Sequence, residues 1–319
     1  MRALVTGAAG FIGSHLTERL ARGGEAVRAV DCLTPYYDIS QKRENLEAIA
    51  RLDRCEVLEA DLRGCDLGAL LADVDVVFHL AGQPGVRASW HEGFSTYVEH
   101  NVLVTQLLLE AVRDAKIARF VFASSSSVYG NALAYPTGED DLPRPHSPYG
   151  VTKLAAEHLC GLYAHNWGVP TISLRYFTVF GPRQRPDMAM HRLIEAAIAG
   201  HTFPLYGNGR QIRDFTFVDD VVEANLLAAA SAVPPGSVVN VAGGGATSLL
   251  EVVELVGQLA GRPVELDRRP AEAGDVERTG GSNERAFELL GWRPEVTLRD
   301  GLARQVGWHA DRNRSQVPA

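Results

Sequence analysis

Arg2-Ala-Leu-Val-Thr6 runs directly into Gly7-Ala-Ala-Gly10-Phe-Ile-Gly13, and an apolar-periodic stretch follows from Ser14 to Arg22. A short buried strand, a tight glycine turn and a helix form the context in which glycines have a ligand-binding use. Glycine lets the backbone approach a pyrophosphate closely, and the phosphate sits on the N-terminus of the helix that follows. The spacing here is Gly-x-x-Gly-x-x-Gly rather than the commoner Gly-x-Gly-x-x-Gly. Glycine-rich turns without a ligand are common, so the turn needs support from the rest of the chain.

That support begins with the next strand, Ala26 to Val30, which ends in Asp31. An acid at the end of the second strand can accept hydrogen bonds from the adenosine ribose hydroxyls and repels a 2′-phosphate, which favours NAD over NADP. Arg28 lies inside the strand and is discounted as a phosphate ligand. A polar stretch, Thr34 to Asn45, leads into a helix to about Leu52. Cys55 to Leu58 reads as a third strand, leading to Asp61-Leu62, and Val76 to Leu80 as a fourth. His79 lies inside that strand and reads as a core histidine. Ala81-Gly82-Gln83 ends the strand where a backbone would pass under a cofactor. A helix from Tyr97 to Val112 carries Asn101, and the strand Phe120 to Ala123 runs into Ser124-Ser-Ser-Ser127-Val-Tyr-Gly130. Strands alternating with helices indicate a parallel sheet with crossovers, an α/β doubly wound fold whose ligands bind at the carboxyl ends of the strands.

Tyr149-Gly-Val-Thr-Lys153 opens a further apolar helical run, Leu154 to Tyr163. Residues four apart share a helix face, so Tyr149 and Lys153 point the same way. A phenol titrates near 10, and an adjacent ammonium favours the phenolate, so such a tyrosine can act as a base near neutral pH. Lys153 is one of only three lysines, with Lys42 and Lys116, in a chain that otherwise uses Arg. Tyr-x-x-x-Lys alone is common on surface helices. It gains meaning from the glycine turn, Asp31 and the serine run upstream.

The second half has fewer strands and more Arg near glycine turns, and reads as a smaller α/β lobe for an anionic substrate. Thr171 to Leu174 is a strand ending in Arg175-Tyr-Phe-Thr178, followed by the basic loop Gly181-Pro-Arg-Gln-Arg-Pro186. Helices are expected at about Ala189–Ala199, Val221–Ala230, Leu249–Leu259 and Glu284–Leu290, and a strand at Val238–Asn240. The expected division is a Rossmann-type domain from residues 1–175 with about 214–241, and a sugar-nucleotide lobe from about 176–213 with 242–319.

The 319 residues can bury a sizeable core, and the 46% apolar and 22% charged fractions are those of an ordinary soluble enzyme. A net charge of −8 argues against a nucleic-acid partner. The four cysteines, Cys32, Cys55, Cys65 and Cys160, show no metal-ligand spacing and fit reduced thiols in a cytoplasmic protein. No run is long enough to span a bilayer, and neither a signal peptide nor a metal is expected.

With the glycine turn, Asp31, the serine run, Tyr149 and Lys153 in this order, the chain resembles the extended short-chain dehydrogenase/reductases, in their nucleotide-sugar epimerase/dehydratase branch. Further markers are His79-Leu-Ala-Gly82, Asn101-Val, Arg175-Tyr-Phe and Gly207-x-Gly-x-x-x-Arg-Asp-Phe215. Within the branch it looks most like UDP-glucuronate 4-epimerases, on Gln83-Pro-Gly-Val-Arg87, Tyr176-Phe-Thr-Val-Phe-Gly-Pro182 and Arg185-Pro-Asp-Met-Ala189. UDP-glucose 4-epimerases usually have Asn where Thr178 stands.

The resemblance implies a tightly held NAD that is regenerated each cycle. It implies cofactor contacts from Gly7, Gly10, Phe11, Ile12, Gly13, Asp31, Asp61, Leu62, Leu80, Ala81, Gly82, Asn101, Tyr149, Lys153 and Tyr176. Tyr149 would take the sugar 4-OH proton while the C4 hydride passes to NAD+, and the 4-keto sugar would turn and accept the hydride on its other face. Ser125 would hydrogen-bond the 4-OH, and Lys153 would hold the nicotinamide ribose and tune Tyr149. Ser126, Ser127, Gln211 and Asp275 would meet the UDP-sugar.

A UDP-uronic acid carries a diphosphate and a carboxylate, which Arg forks match bidentately. Arg213 is the candidate for the diphosphate, Arg185 with Thr178 for the carboxylate, and Arg87 a further candidate near sugar or phosphates. Relatives that dehydrate or decarboxylate usually carry an acid just before the Val-Tyr-Gly, where Ser126 and Ser127 stand. A 4-keto uronic acid is a β-keto acid, so Thr178 and Arg185 are expected to hold its carboxylate out of alignment with the carbonyl. Near the C-terminus, Ala273-Gly-Asp275-Val resembles the family's Gly-Asp motif, with Glu272 where Arg or Gln is usual and Gly280-Gly-Ser282 where Tyr-Ala-Asp is usual; a roomier sugar pocket could follow. A neutral-sugar epimerase acting on UDP-glucose or its N-acetyl analogue is the rival enzyme, with decarboxylation or dehydration behind it. A non-catalytic NAD-binding sensor is the rival from another class. A homodimer through the Tyr97 and Tyr149 helices is also implied.

Overall fold

The computed structural model describes residues 1–272 and 274–316; Ala273, in the Gly-Asp motif, lies outside them. Seven parallel strands form one sheet in the order Ser237–Val241, Thr171–Tyr176, Arg119–Ser125, Val76–His79, Arg2–Thr6, Ala26–Asp31, Cys55–Glu59. The central strands are buried over nearly their whole length, as helices on both faces of a parallel sheet demand. Strand order reverses at Arg2–Thr6, which pairs with Ala26–Asp31 on one side and Val76–His79 on the other. A crevice outside the carboxyl ends at such a switch point is where open α/β sheets bind ligands.

The glycine turn lies in that crevice. A Cβ on Gly7 would meet the Leu80 carbonyl carbon and the Ala81 nitrogen at 2.8 Å, and one on Gly13 would meet the Gly7 carbonyl oxygen at 2.1 Å. The helix that follows is Phe11–Arg22, beginning three residues before the expected Ser14 because Gly10 already serves as N-cap. His79 is a core histidine: its Nδ1 lies 2.8 Å from the Thr6 hydroxyl and its Nε2 3.0 Å from that of Thr105. Burial pushes its pKa down to about 3.

The helix expected from Tyr97 runs from Phe94 to Asp114 and changes to a π-helical turn at Val98–Leu103, which contains Asn101. Such turns widen a helix locally and occur often at functional sites. The helix Pro148–Trp167 starts at Ser147, whose hydroxyl accepts from the Gly150 N–H at 3.1 Å, with Pro148 in the first turn and left-handed Gly168 at its end.

The second half holds more than the sequence reading expects. Phe203–Tyr206 pairs in parallel with Leu266–Arg269, and Thr178–Phe180 with Phe215–Phe217. A C-terminal helix, Leu298–Gln316, packs on the helices Ala189–Ala199 and Leu249–Ala260. Its inward residues include Gln305 and His309, so its apolar periodicity is weak. Among the described residues no helix is long and apolar enough to cross a membrane.

Candidate active site

Two cavities meet above the carboxyl ends of the strands. The first is lined by the glycine turn (Gly7 and Gly10 to Gly13), Asp31, Asp61, Leu62, Leu80 to Gly82, Asn101, Tyr149, Lys153, Tyr176 and Arg185. The second is lined by Arg87, Ser126, Ser127, Thr178, Gln211, Arg213 and Asp275. Tyr36 lines both.

Asp31 is buried, with one carboxylate oxygen 3.1 Å from the Ala9 N–H and the other 2.8 Å from the Leu33 N–H. Lys42, also buried, has its ammonium 3.9 Å from this carboxylate and donates to Thr34. The Asn101 side chain is fully engaged. Its oxygen accepts from the Gln83 N–H at 2.7 Å, and its nitrogen donates to the Gln83 carbonyl at 3.1 Å and the Thr152 hydroxyl at 2.9 Å. Asn101 therefore clamps the loop after Val76–His79 to the first turn of the Tyr149 helix. The Tyr176 hydroxyl donates to Asn225 at 2.8 Å. Asp61 is held at a pKa of about 2 by hydrogen bonds from Arg63.

Tyr149 and Lys153 face the same cavity. Burial raises the Tyr149 pKa, opposed by the hydrogen bond with Ser125 and by the Arg185 guanidinium. The Lys153 ammonium lies 4.5 Å from the centre of the Phe122 ring, and burial pulls its pKa down to about 8. Charge on Lys153 is thus costly where it sits. The Tyr149 ring packs edge-on against Tyr97, at 6.2 Å between centroids.

The arginines divide. Arg213 lines the second cavity and donates to the Ile212 carbonyl at 2.9 Å. Arg87 stacks on Tyr206 at 4.4 Å and pairs with Asp275 at 2.8 Å, closing one side of that cavity. Arg185, expected at the sugar carboxylate, lines the first cavity rather than the second. Its Nε and Nη2 each donate to Asp187 at 2.9 Å. Asp187 stands only two residues on, beyond Pro186, and so captures the guanidinium locally.

The sequence reading missed Tyr36 and Lys42, which fall inside its polar stretch. The adjacent aromatics Tyr36-Tyr37 in an otherwise polar segment were the available signal. Tyr36 approaches the backbone at Gly85, where a Cβ would lie 1.9 Å from its hydroxyl.

A family model described as the NAD dependent epimerase/dehydratase family matches residues 3–242. The chain is 40% identical to the UDP-glucuronic acid 4-epimerase of Bacillus cereus, solved in complex with UDP-glucuronic acid and NAD; the match covers 98% of this chain and 99% of that one, with a TM-score of 0.94. A probable UDP-glucuronate 4-epimerase of Rhizobium meliloti is 37% identical, over 97% of each chain. An uncharacterized UDP-glucose epimerase, YtcB of Bacillus subtilis, is 41% identical over 97% of this chain and 98% of its own. With its glycine turn at the switch point and Tyr149 and Lys153 across the cavity from it, the chain belongs to the NAD dependent epimerase/dehydratase family.

Proposed function

We propose that the protein interconverts UDP-glucuronate and UDP-galacturonate at C4. The observation that carries this reading is the convergence of Tyr149 and Lys153 in the cavity that begins at the glycine turn, with Ser125 hydrogen-bonded to Tyr149, and with Thr178 and Arg213 facing the cavity beside it. The glycine turn and Asp31 fit NAD, because the turn leaves space that a Cβ would fill and Asp31 offers ribose hydroxyls a buried acceptor. Bound NAD supplies the hydride acceptor and donor of the cycle. Tyr149 holds the proton removed from the 4-hydroxyl and returns it, and Ser125 orients that hydroxyl. Lys153 fixes the ribose on the nicotinamide side. Arg213 meets the diphosphate, and Arg87 joins it by exchanging Asp275 for a phosphate oxygen. Thr178, Gln211, Ser126 and Ser127 hold the sugar and nucleotide.

The relatives named for UDP-glucuronate support the uronic acid, and so does Thr178. A second reading, a neutral-sugar epimerase, is favoured by the Arg185–Asp187 pair, which already supplies Arg185 with a carboxylate and leaves only its outer N–H groups for a sugar acid. Purified protein without added NAD, incubated separately with UDP-glucuronate and UDP-glucose, separates the two. UDP-galacturonate from the first alone is expected; UDP-galactose formed with comparable efficiency would overturn the uronic-acid reading.

Thr178→Val is expected to raise the share of UDP-pentose by-product severalfold, by freeing the carboxylate of the 4-keto intermediate to align with the carbonyl. Product ratios by NMR check this, and an unchanged ratio removes Thr178 from that role.

For assembly we propose a homodimer through the Phe94–Asp114 and Pro148–Trp167 helices. Phe94, Val98, Leu103, Val151, Leu162 and Trp167 leave these helices with exposed apolar side chains that a second copy would cover.

A further inference from the structure

The helix Ala189–Ala199 begins at the second cavity, which Ala189, Met190 and Arg192 line, and packs against the C-terminal helix Leu298–Gln316. Three side chains between these helices have no part in the proposed reaction. His191 places Nδ1 2.7 Å from the Gln184 carbonyl oxygen. A carbonyl only accepts, so Nδ1 carries a proton, and the neutral ring then presents a lone pair at Nε2. That lone pair lies 3.0 Å from a carboxylate oxygen of Glu195. Two acceptors face each other there unless a proton or a cation lies between them. From the other helix comes His309, 2% exposed, whose ring centre is 4.4 Å from that of His191. Its Nε2 is buried and has no hydrogen-bond partner among the described residues. One ligand atom from each of the three side chains falls within 4.8 Å of the other two.

We propose that His191, Glu195 and His309 form a binding site for a divalent transition cation of the zinc class. Two imidazole nitrogens and a carboxylate oxygen are a donor set that such ions take. Bonds of about 2.0–2.1 Å in a tetrahedron put ligand atoms about 3.3 Å apart. His191 and Glu195 stand close to that separation at 3.0 Å, and the His309 ligand atom, within 4.8 Å of both, would move inward on binding. The bond from His191 Nδ1 to the Gln184 carbonyl has the arrangement that orients metal-bound histidines from behind. Glu195, with its side chain about half exposed, gives an ion access from solvent and leaves room for water as a fourth ligand.

The site would act on structure rather than chemistry. Gln184 accepts from Gln305 of the C-terminal helix at 2.9 Å and donates to the Val179 carbonyl at 2.9 Å. A cation at His191 and His309 would therefore fasten the C-terminal helix to the segment that carries Thr178 and Arg185. Its binding would raise the melting temperature of the folded chain by mass action.

The test uses the full-length protein with its bound cofactor, stripped of metal by a chelator. It is titrated with Zn2+ by calorimetry and with Co2+ by visible absorption, with melting temperatures in parallel. One equivalent bound, a tetrahedral Co2+ spectrum and a raised melting temperature are expected. Glu195→Gln, a surface change that leaves the fold and the metal-free turnover intact, should weaken binding about tenfold or more. His309→Ala should abolish the spectrum, while Cys32→Ser, at an exposed thiol, should leave it unchanged. Absence of stoichiometric binding would overturn the proposal. Binding that survives both Glu195→Gln and His309→Ala would also overturn it.

Discussion

Tyr149→Phe is expected to cut turnover of UDP-glucuronate by about 10³–10⁴-fold while the fold and the bound cofactor stay in place. Phenylalanine keeps the ring that packs edge-on against Tyr97 and removes only the hydroxyl that exchanges the proton. Turnover, melting temperature and the NAD released on denaturation test this together. A loss smaller than tenfold would mean that another group carries the proton. The pH profile adds a signed check. Burial raises the Tyr149 pKa, whereas Ser125 and Arg185 lower it. If the rate needs the phenolate, Ser125→Ala removes a lowering influence and moves the rising limb of the pH–rate profile to higher pH. A profile of reduced height with an unmoved limb would mean that Ser125 orients substrate without tuning Tyr149.

Tyr149 and Lys153 were legible in the sequence because a four-residue spacing on a helix fixes a shared face before any tertiary contact forms. The glycine turn was legible for a similar local reason, since strand, turn and helix follow one another without interruption. Partner identity was not local in the same way. Arg87 finds Asp275 188 residues away, and Arg185 is captured by Asp187 across a proline, a contact that spacing alone does not distinguish from an open fork. The C-terminal helix Leu298–Gln316 was missed because part of its buried face is polar, and Gln305 and His309 interrupt the apolar period. The strands Phe203–Tyr206 and Leu266–Arg269 were missed because each is only four residues long and pairs with a distant partner.

The family marker Arg175-Tyr-Phe shows how a motif can carry stability rather than chemistry. Arg175 lies in the strand beside the serine run, yet its side chain turns away from both cavities. Its guanidinium grips both oxygens of Glu157, at 2.6 and 3.0 Å, and donates to the Tyr129 hydroxyl at 2.6 Å. Glu157 also accepts from Ser124 at 2.6 Å, and Tyr129 donates to Asn240 at 2.8 Å. This network joins three neighbouring strands to the helix that presents Tyr149 and Lys153, and the paired side chains are 5% and 4% exposed. Arg175→Met is therefore expected to destabilise the fold by about 3–5 kcal/mol, because it leaves the Glu157 carboxylate buried without its counter-charge. Against a typical total of about 5–15 kcal/mol, that is a large fraction. Denaturant unfolding of the single variant and of the Arg175→Met, Glu157→Gln pair measures it. The double variant should recover a substantial part of the loss, since the cost lies chiefly in the unpaired charge. Equal instability of both variants would instead assign the loss to packing and to the hydrogen bonds of Tyr129. The network would then act by shape, with Glu157 fixing the helix one turn beyond Lys153 whether or not it is ionised.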